Sequence, residues 1–552
     1  MPDRPNILVL MTDQQRADAM NCAGNTTIRT PNLDALANSG VRFTQAVTPT
    51  PVCVAARMSF ITGHRMSRHH WTDNSALPGP LPELPTIMTL LLRAGYWTQG
   101  IGKMHFHGRH YGFRNLLTME EGIDHWVNDD YLRYLRKNSV RTRYPKGIRD
   151  LLFFQPQTCG IPVEHHKNTW VADQSIDFLR EHTRYRTNQP FFLWSSWISP
   201  HPPFAPCEPY DDMYDPDDME LPPFADRPIE TLPPNFYGSR GRLDGAHRDP
   251  DRLRRLRALY YGLISHVDDG IGRILNELET LGLSDNTVVL FVSDHGEMMG
   301  EHGLSQKNCP YESSVRIPYL LRWPGKTRAG QQRDDLVSLL DFFPTLIEEL
   351  DLQYPEEHGP LPGANLLGTT GEGLTKPRES AIIDYGKGKG RWISARNQKH
   401  KYAFFARGGI EELYHLENDP HEQHNLIAEN PALASKFRDQ ITVWERQYGL
   451  SNSLDGDRLR SYPGPARIPT EEECRTVILN DGPWPKRLPE DEKDSIETFA
   501  EAFTRAISKE TTLSPDKLSI EKYKEQVLKR GPRDIAAESL EGTPWEDAWH
   551  NA

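Results

Sequence analysis

Asn6-Ile7-Leu8-Val9-Leu10-Met11-Thr12-Asp13 carries an unbroken apolar run that ends in a hydroxyl and a carboxylate. An unbroken run, as opposed to an alternating one, is the pattern of a strand covered on both faces, as in a parallel sheet between helix layers. Thr287-Val288-Val289-Leu290-Phe291-Val292 repeats it and runs into Ser293-Asp294-His295-Gly296. Tyr96 to Gly102 is a third candidate strand, followed by Lys103-Met104-His105, and Phe191 to Ile198 a fourth, followed by Ser199-Pro200-His201. Chemically capable residues thus stand just past the C-terminal ends of four apolar strands, where open α/β sheets place their ligand crevices.

Helical patterns separate these strands. Pro31 to Ser39 ends at Gly40, Thr86 to Ala94 ends at Gly95, and Trp170 to Arg180 is amphipathic. The longest, Asp251 to Leu281, aligns Leu256, Leu259, Leu263, Val267, Ile271, Ile274, Leu275 and Leu278 on one face. The predicted fold class is α/β: a large, mixed but mostly parallel sheet sandwiched by helices. Residues 199 to about 248 are proline-rich and aperiodic, as expected of a lid or substrate wall. Arg391 to Ser394, Lys401 to Phe405 and Glu412 to Leu416 read as a smaller C-terminal antiparallel sheet. Two amphipathic patterns, Ile496 to Ile507 and Lys517 to Leu528, suggest a helical C-terminal extension. The expected division is a catalytic domain over 1–375, a small α+β subdomain over 376–450, and an extension over 451–552 serving homo-oligomerisation.

At 552 residues the chain exceeds the size at which a single core stops growing. Its 64 basic and 77 acidic residues, net charge −13, argue against a general nucleic-acid binder. The apolar run near the N-terminus is too short for a membrane span or signal segment, so no membrane association and a cytoplasmic address are expected. Six cysteines at 22, 53, 159, 207, 309 and 474 lack CxxC spacing, which indicates neither a disulfide framework nor a structural zinc site.

One cysteine stands apart. In Cys53-Val54-Ala55-Ala56-Arg57, prolines at 49 and 51 keep the preceding backbone extended, and Ala55 to Gly63 reads as a helix closed by glycine. Cys53 is therefore expected at a helix N-terminus, where backbone N–H groups favour negative charge, with Arg57 one turn on and able to point back. A Cys-based phosphatase loop needs five residues between Cys and Arg, and here there are three.

With these residues in place, the chain resembles the sulfatases of the alkaline phosphatase superfamily over roughly residues 5–430, near choline sulfatases and phosphonate monoester hydrolases. Besides the Cys53 motif, the resemblance rests on Thr12-Asp13-Gln14-Gln15, Arg29-Thr30-Pro31-Asn32-Leu33-Asp34, Gly102-Lys103-Met104-His105, Pro200-His201-Pro202-Pro203-Phe204, Ser293-Asp294-His295-Gly296 and the Glu412 to Leu426 segment. It implies oxidation of Cys53 to formylglycine by a maturase, and hydrolysis of a small-molecule sulfate ester through the aldehyde hydrate. It also implies one divalent cation, Ca²⁺ or alternatively Mn²⁺, at Asp13, Asp294 and His295, with Gln14 as a fourth ligand or neighbour and Cys53 facing the ion. Lys103, His105, His201 and Lys307 match sulfate-binding and proton-transfer positions: the lysines hold charge, His201 protonates the leaving group, His105 takes the proton from the second hydroxyl, and Arg57 orients the hydrate. Asn74 is a candidate substrate contact. Many family members carry Asp and Asn where this chain has Gln14 and His295, and proline where it has Ala55.

Each residue also has a plainer reading. Asp13 and Asp294 fit strand-end caps, Cys53 a small buried hydrophobe, and Lys103 and Lys307 solvated lysines. His105 competes with His107, Arg109 and His110; Asn74 fits an Asx-turn; Asp268 and Asp269 read as the polar face of the long helix; and Trp126 and Trp170 read as core before a cradle for a quaternary ammonium group. Competing functions are a phosphonate monoester or phosphodiester hydrolase using the same residues, and a non-catalytic anion- or metal-binding protein whose Cys53 is never converted.

Overall fold

The computed structural model describes residues 4–470 apart from 76, 78–82, 122–128, 141–153, 155, 243–245 and 369–373. Eight strands form the main sheet: β1 (Asn6–Asp13), β2 (Val41–Val47), β3 (Trp97–Gly102), β4 (Asn115–Thr118), β5 (Phe191–Pro200), β6 (Thr287–Ser293), β7 (Tyr319–Arg322) and β8 (Gln331–Ser338). Their order is β4-β3-β5-β1-β6-β7-β2-β8. All neighbours are parallel except β7, which runs antiparallel to both β6 and β2.

The unbroken apolar run of β1 now has its cause. Ile7, Val9 and Met11 face a core shared with the Cys53–Thr62 and Ile87–Arg93 helices, whereas Leu8 and Leu10 face a second core shared with the Lys167–Tyr185 and Pro250–Thr280 helices. Each such side chain contributes roughly 1.5–3 kcal/mol of burial, so both faces of the strand must be apolar. The Pro31–Ser39 helix forms as expected. Gly40 follows it for lack of room, since a Cβ there would lie 2.4 Å from the Leu321 carbonyl oxygen.

Asp268 departs from the expected polar face. It is fully buried and accepts from the Asn32 and Leu33 backbone N–H groups at 3.1 and 2.8 Å, capping the Pro31–Ser39 helix from the long helix. Asp269 is exposed and accepts from the Tyr210 hydroxyl at 2.6 Å. The 199–248 segment holds short 3₁₀ turns and packs Phe204, Tyr214 and Met219 against the first half of the long helix.

A second, antiparallel sheet has the order β12-β11-β10-β9, with β9 (Ala381–Tyr385), β10 (Trp392–Arg396), β11 (His400–Phe405) and β12 (Ile410–His415). One face carries the Pro431–Tyr448 helix; the other packs Trp392 and Phe405 against Phe236 and Tyr311 of the main body. The helical patterns expected after Ile496 lie outside the described residues. Among the described residues no helix is long and apolar enough to cross a membrane.

Candidate active site

The contiguous order β3-β5-β1-β6 aligns four strand ends, and so brings Lys103, His201, Asp13 and Asp294 to one edge. Thr12 pairs with Ser293 in the parallel register, which sets Asp13 and Asp294 side by side. Gln14 then turns with φ 67° and donates its backbone N–H to Asp294 Oδ1 at 3.1 Å. Gly102, at φ 94°, passes so close to the Ser196 carbonyl that no Cβ fits, and it delivers Lys103 into the crevice.

Cys53 is the first residue of its helix, after extended Val52, and is 0% exposed. Its Sγ lies 3.3 Å from His295 Nε2 and 3.8 Å from Asp13 Oδ1. Asn74 Oδ1 accepts from the Val54 N–H at 3.0 Å, so that side chain supports the start of the cysteine's helix; the local Asx-turn belongs to Asp73, which accepts from Ser75 N–H. Arg57 spends its guanidinium on protein groups: Nε on Asp294 Oδ2 at 2.9 Å, and Nη1 on the Lys103 carbonyl at 2.7 Å and Ser196 Oγ at 2.9 Å.

Neither lysine is a surface residue. Lys103 is 0% exposed, with its ammonium on Asp13 and, at 2.6 Å, on Glu121. Lys307 is buried and donates to Gln14 Oε1 at 2.5 Å, while the Gln14 amide nitrogen donates to Glu297. His105 adopts φ 59°, with its backbone N–H on Glu120 and its ring beside Glu121 and Cys53. His107 instead stacks on Trp71, and Arg109 and His110 are exposed. His201 is buried, with Nδ1 2.7 Å from the Pro202 carbonyl and Nε2 3.4 Å from Glu121. Trp170 is core, packed on Tyr131; Trp126 lies outside the described residues.

The charges act on one another. Burial pushes the Cys53 thiol up, but Lys103, Lys307 and His295 more than reverse this and hold it well below its ordinary value. Burial also drives His201 down to about 3, helped by Lys307 and opposed by Glu121 and Asp13. A neutral His201 that donates Nδ1–H to Pro202 presents the Nε2 lone pair to the crevice. His295 is moved up, since Asp294 and Cys53 outweigh its burial.

The donor atoms of Asp13, Cys53, Asp294 and His295 lie within 4.8 Å of one another, all four residues being fully buried. Lys103 and Arg57 already offset the Asp13 and Asp294 charges in part, and two carboxylates with an imidazole and a thiol sulfur make a donor set that suits a divalent metal. The residues present therefore fit such an ion.

Three glutamates escaped the sequence reading. Glu120 and Glu121 follow β4, whose four residues are too few to read as a strand; a recognised β4 would have exposed them by the same strand-end rule. Glu297 accepts from Gln14, from Met299 N–H and from Gln306 N–H, and stands two residues past His295.

The profile of the sulfatase family matches residues 5–352, and that of the N-sulphoglucosamine sulphohydrolase C-terminal region matches 300–446. An arylsulfatase of Clostridium perfringens is 32% identical over 495 residues, covering 83% of this chain and 98% of its own. A choline-sulfatase of Rhizobium meliloti is 30% identical over 467 residues, covering 80% and 88%. The crystal structure of the phosphonate monoester hydrolase of Agrobacterium radiobacter shares 26% identity and a TM-score of 0.67, covering 81% of this chain and 96% of its own. A family profile over most of the chain, together with a relative matched along nearly its whole length, establishes that the chain belongs to the sulfatase family, the sulfuric ester hydrolases of the alkaline phosphatase superfamily.

Proposed function

We propose that the chain hydrolyses the sulfate ester of a small alcohol or phenol, with Cys53, converted to formylglycine by a maturase, as the nucleophilic position. The observation that carries this reading is the fully buried Cys53 at a helix start, 3.3 Å from His295 and within 4.8 Å of the Asp13 and Asp294 carboxylates.

Asp13, Asp294 and His295 are assigned as ligands of one divalent cation; the carboxylates suit Ca²⁺ and the imidazole suits Mn²⁺. When bound, the cation polarises the ester oxygens and favours an ionised nucleophile. Gln14 is assigned to orienting Lys307, because its amide oxygen accepts from that ammonium. Lys103 and Lys307 offset charge on the ester oxygens inside a site closed to water. Arg57 fixes Asp294 and so holds the carboxylate pair in register. His201 Nε2, unprotonated in the resting site, is assigned to take up a proton and pass it to the leaving oxygen, with Glu121 beside it raising its proton affinity. His105, on the Cys53 side of Glu121, takes the proton that the nucleophile releases. Asn74 supports the Cys53 helix start.

Hydrolysis of phosphonate monoesters by the same residues is the second reading, favoured by the likeness to the Agrobacterium enzyme. Mass spectrometry of the tryptic peptide containing Cys53, from protein co-expressed with a maturase, tests the nucleophile: conversion lowers the mass by about 18 Da. An unmodified thiol in active protein refutes the assignment. Rates with matched aryl sulfate and phosphonate esters then separate the two readings, the sulfate being preferred if the first holds.

A further inference from the structure

We propose that His166, Cys207 and His266 form a second metal site, for a cation of the Zn²⁺ class, sharing no residue with the Cys53 centre. One thiol sulfur and two imidazole nitrogens from these buried residues lie within 4.8 Å of one another. Cys207 Sγ is 3.9 Å from His266 Nδ1, against about 3.6 Å between sulfur and nitrogen in a tetrahedral zinc site, so a small contraction completes the geometry. Sulfur and imidazole donors select zinc-like ions over Ca²⁺ or Mg²⁺.

The surroundings orient the donors. His266 Nε2 lies 2.9 Å from Thr169 Oγ1, and a proton donated there leaves the Nδ1 lone pair facing Cys207, the kind of support that metal-bound histidines receive. The Tyr210 ring stacks on His266 at 4.2 Å and 5°, fixing its plane. His166 is 0% exposed and its Nδ1 accepts from the Asn168 N–H, so the neutral ring carries its proton on Nε2; coordination by His166 exchanges the Asn168 hydrogen bond for the cation. A thiol binds such a cation as the thiolate, so the Cys207 proton is what the cation displaces. Lys167, buried nearby, opposes a dication, and the thiolate offsets it. A cavity of about 200 Å³ lined by Thr169, Tyr210 and His266 reaches the His266 ring.

The site escaped the reading of cysteine spacing because its three donors come from three separate segments. Cys207 lies shortly after His201 in the chain, His166 caps the Lys167–Tyr185 helix and His266 sits in the Pro250–Thr280 helix. A cation here staples the His201 loop to both helices.

The test uses the full chain carrying Cys53→Ser, so that no thiolate signal comes from the other centre. Reduced, metal-stripped protein is titrated with Co²⁺ in excess Ca²⁺. One equivalent of Co²⁺ is expected to produce a thiolate-to-cobalt charge-transfer band that Zn²⁺ abolishes, and Zn²⁺ to raise the thermal midpoint by several degrees. Adding Cys207→Ser removes the band, His266→Gln weakens Co²⁺ binding at least tenfold, and Asp294→Asn leaves the band in place. Should Cys207→Ser fail to fold, His266→Gln decides. The proposal is overturned if no band forms, if the band survives Cys207→Ser, or if His266→Gln binds Co²⁺ unchanged. It is equally overturned if Cys207 is found oxidised to Cys159, its partner in an isolated parallel bridge, and the reduced protein still takes up no Co²⁺.

Discussion

Arg57 Nε donates to Asp294 Oδ2 at 2.9 Å, and both side chains are fully buried. Nη1 of the same guanidinium holds the Lys103 carbonyl and Ser196 Oγ, so one side chain ties β6, β5 and the turn after β3 together. Removing one partner of a buried ion pair typically costs about 3–5 kcal/mol. Arg57→Ala is expected to lose stability of that order in urea denaturation. Arg57→Lys keeps the charge but loses the planar fork, and should fold while losing at least tenfold in kcat.

Glu121 bridges Lys103, His105 and His201, with Lys103 Nζ 2.6 Å and His201 Nε2 3.4 Å from its carboxylate. If His201 supplies a proton to the leaving oxygen with Glu121 behind it, both matter most where that oxygen leaves poorly. Glu121→Gln and His201→Asn should therefore slow alkyl sulfates by about 10²-fold or more and nitrophenyl sulfate much less. Equal losses on both substrates would refute the proton-transfer role.

What could be read from the sequence was whatever burial on both faces forces to be apolar. β1, β3, β5 and β6, four contiguous strands of the sheet, were legible together with the residues at their ends. The other four, β2, β4, β7 and β8, were not. β8 is an edge strand whose opening residues, Gln331-Gln332-Arg333-Asp334-Asp335, are polar with only Arg333 buried, and β4 and β7 have only four residues each. Glu120 and Glu121 were lost with β4. The Pro431–Tyr448 helix carried a start signal in Asn430-Pro431, and Asn430 does cap Leu433 N–H, but the signal went unread. Asp268 was misplaced because its partner, the start of the Pro31–Ser39 helix, lies more than 200 residues away.

Glu301 links the region after the site to β1 through Arg16, at 2.6 Å. Burial pushes its carboxyl up, but Arg16 and His421 bring it down to about 2 from the ordinary 4.5. A carboxyl lowered on folding stabilises the fold fully above pH 4.5, and the benefit is lost as pH falls towards 2; the size is on the order of 3 kcal/mol. Glu301→Gln should therefore be less stable than the parent at pH 7, with the gap closing between pH 4.5 and 2. Chemical denaturation across that window measures it.

His295 Nε2 lies 3.6 Å from both Asp13 Oδ1 and Asp294 Oδ1 and 3.3 Å from Cys53, so an imidazole stands between the two carboxylates and the thiol. Nitrogen donors shift affinity from Ca²⁺ towards transition metals, whereas an amide oxygen does the reverse. Chelation should abolish turnover in the parent protein, and Mn²⁺ should restore it at lower concentration than Ca²⁺. His295→Asn is expected to invert that order. The measurement is recovered activity against free metal concentration, paired with metal content of the purified proteins. An unchanged order in His295→Asn would show that the two carboxylates alone set the choice of ion, and that His295 serves Cys53 instead.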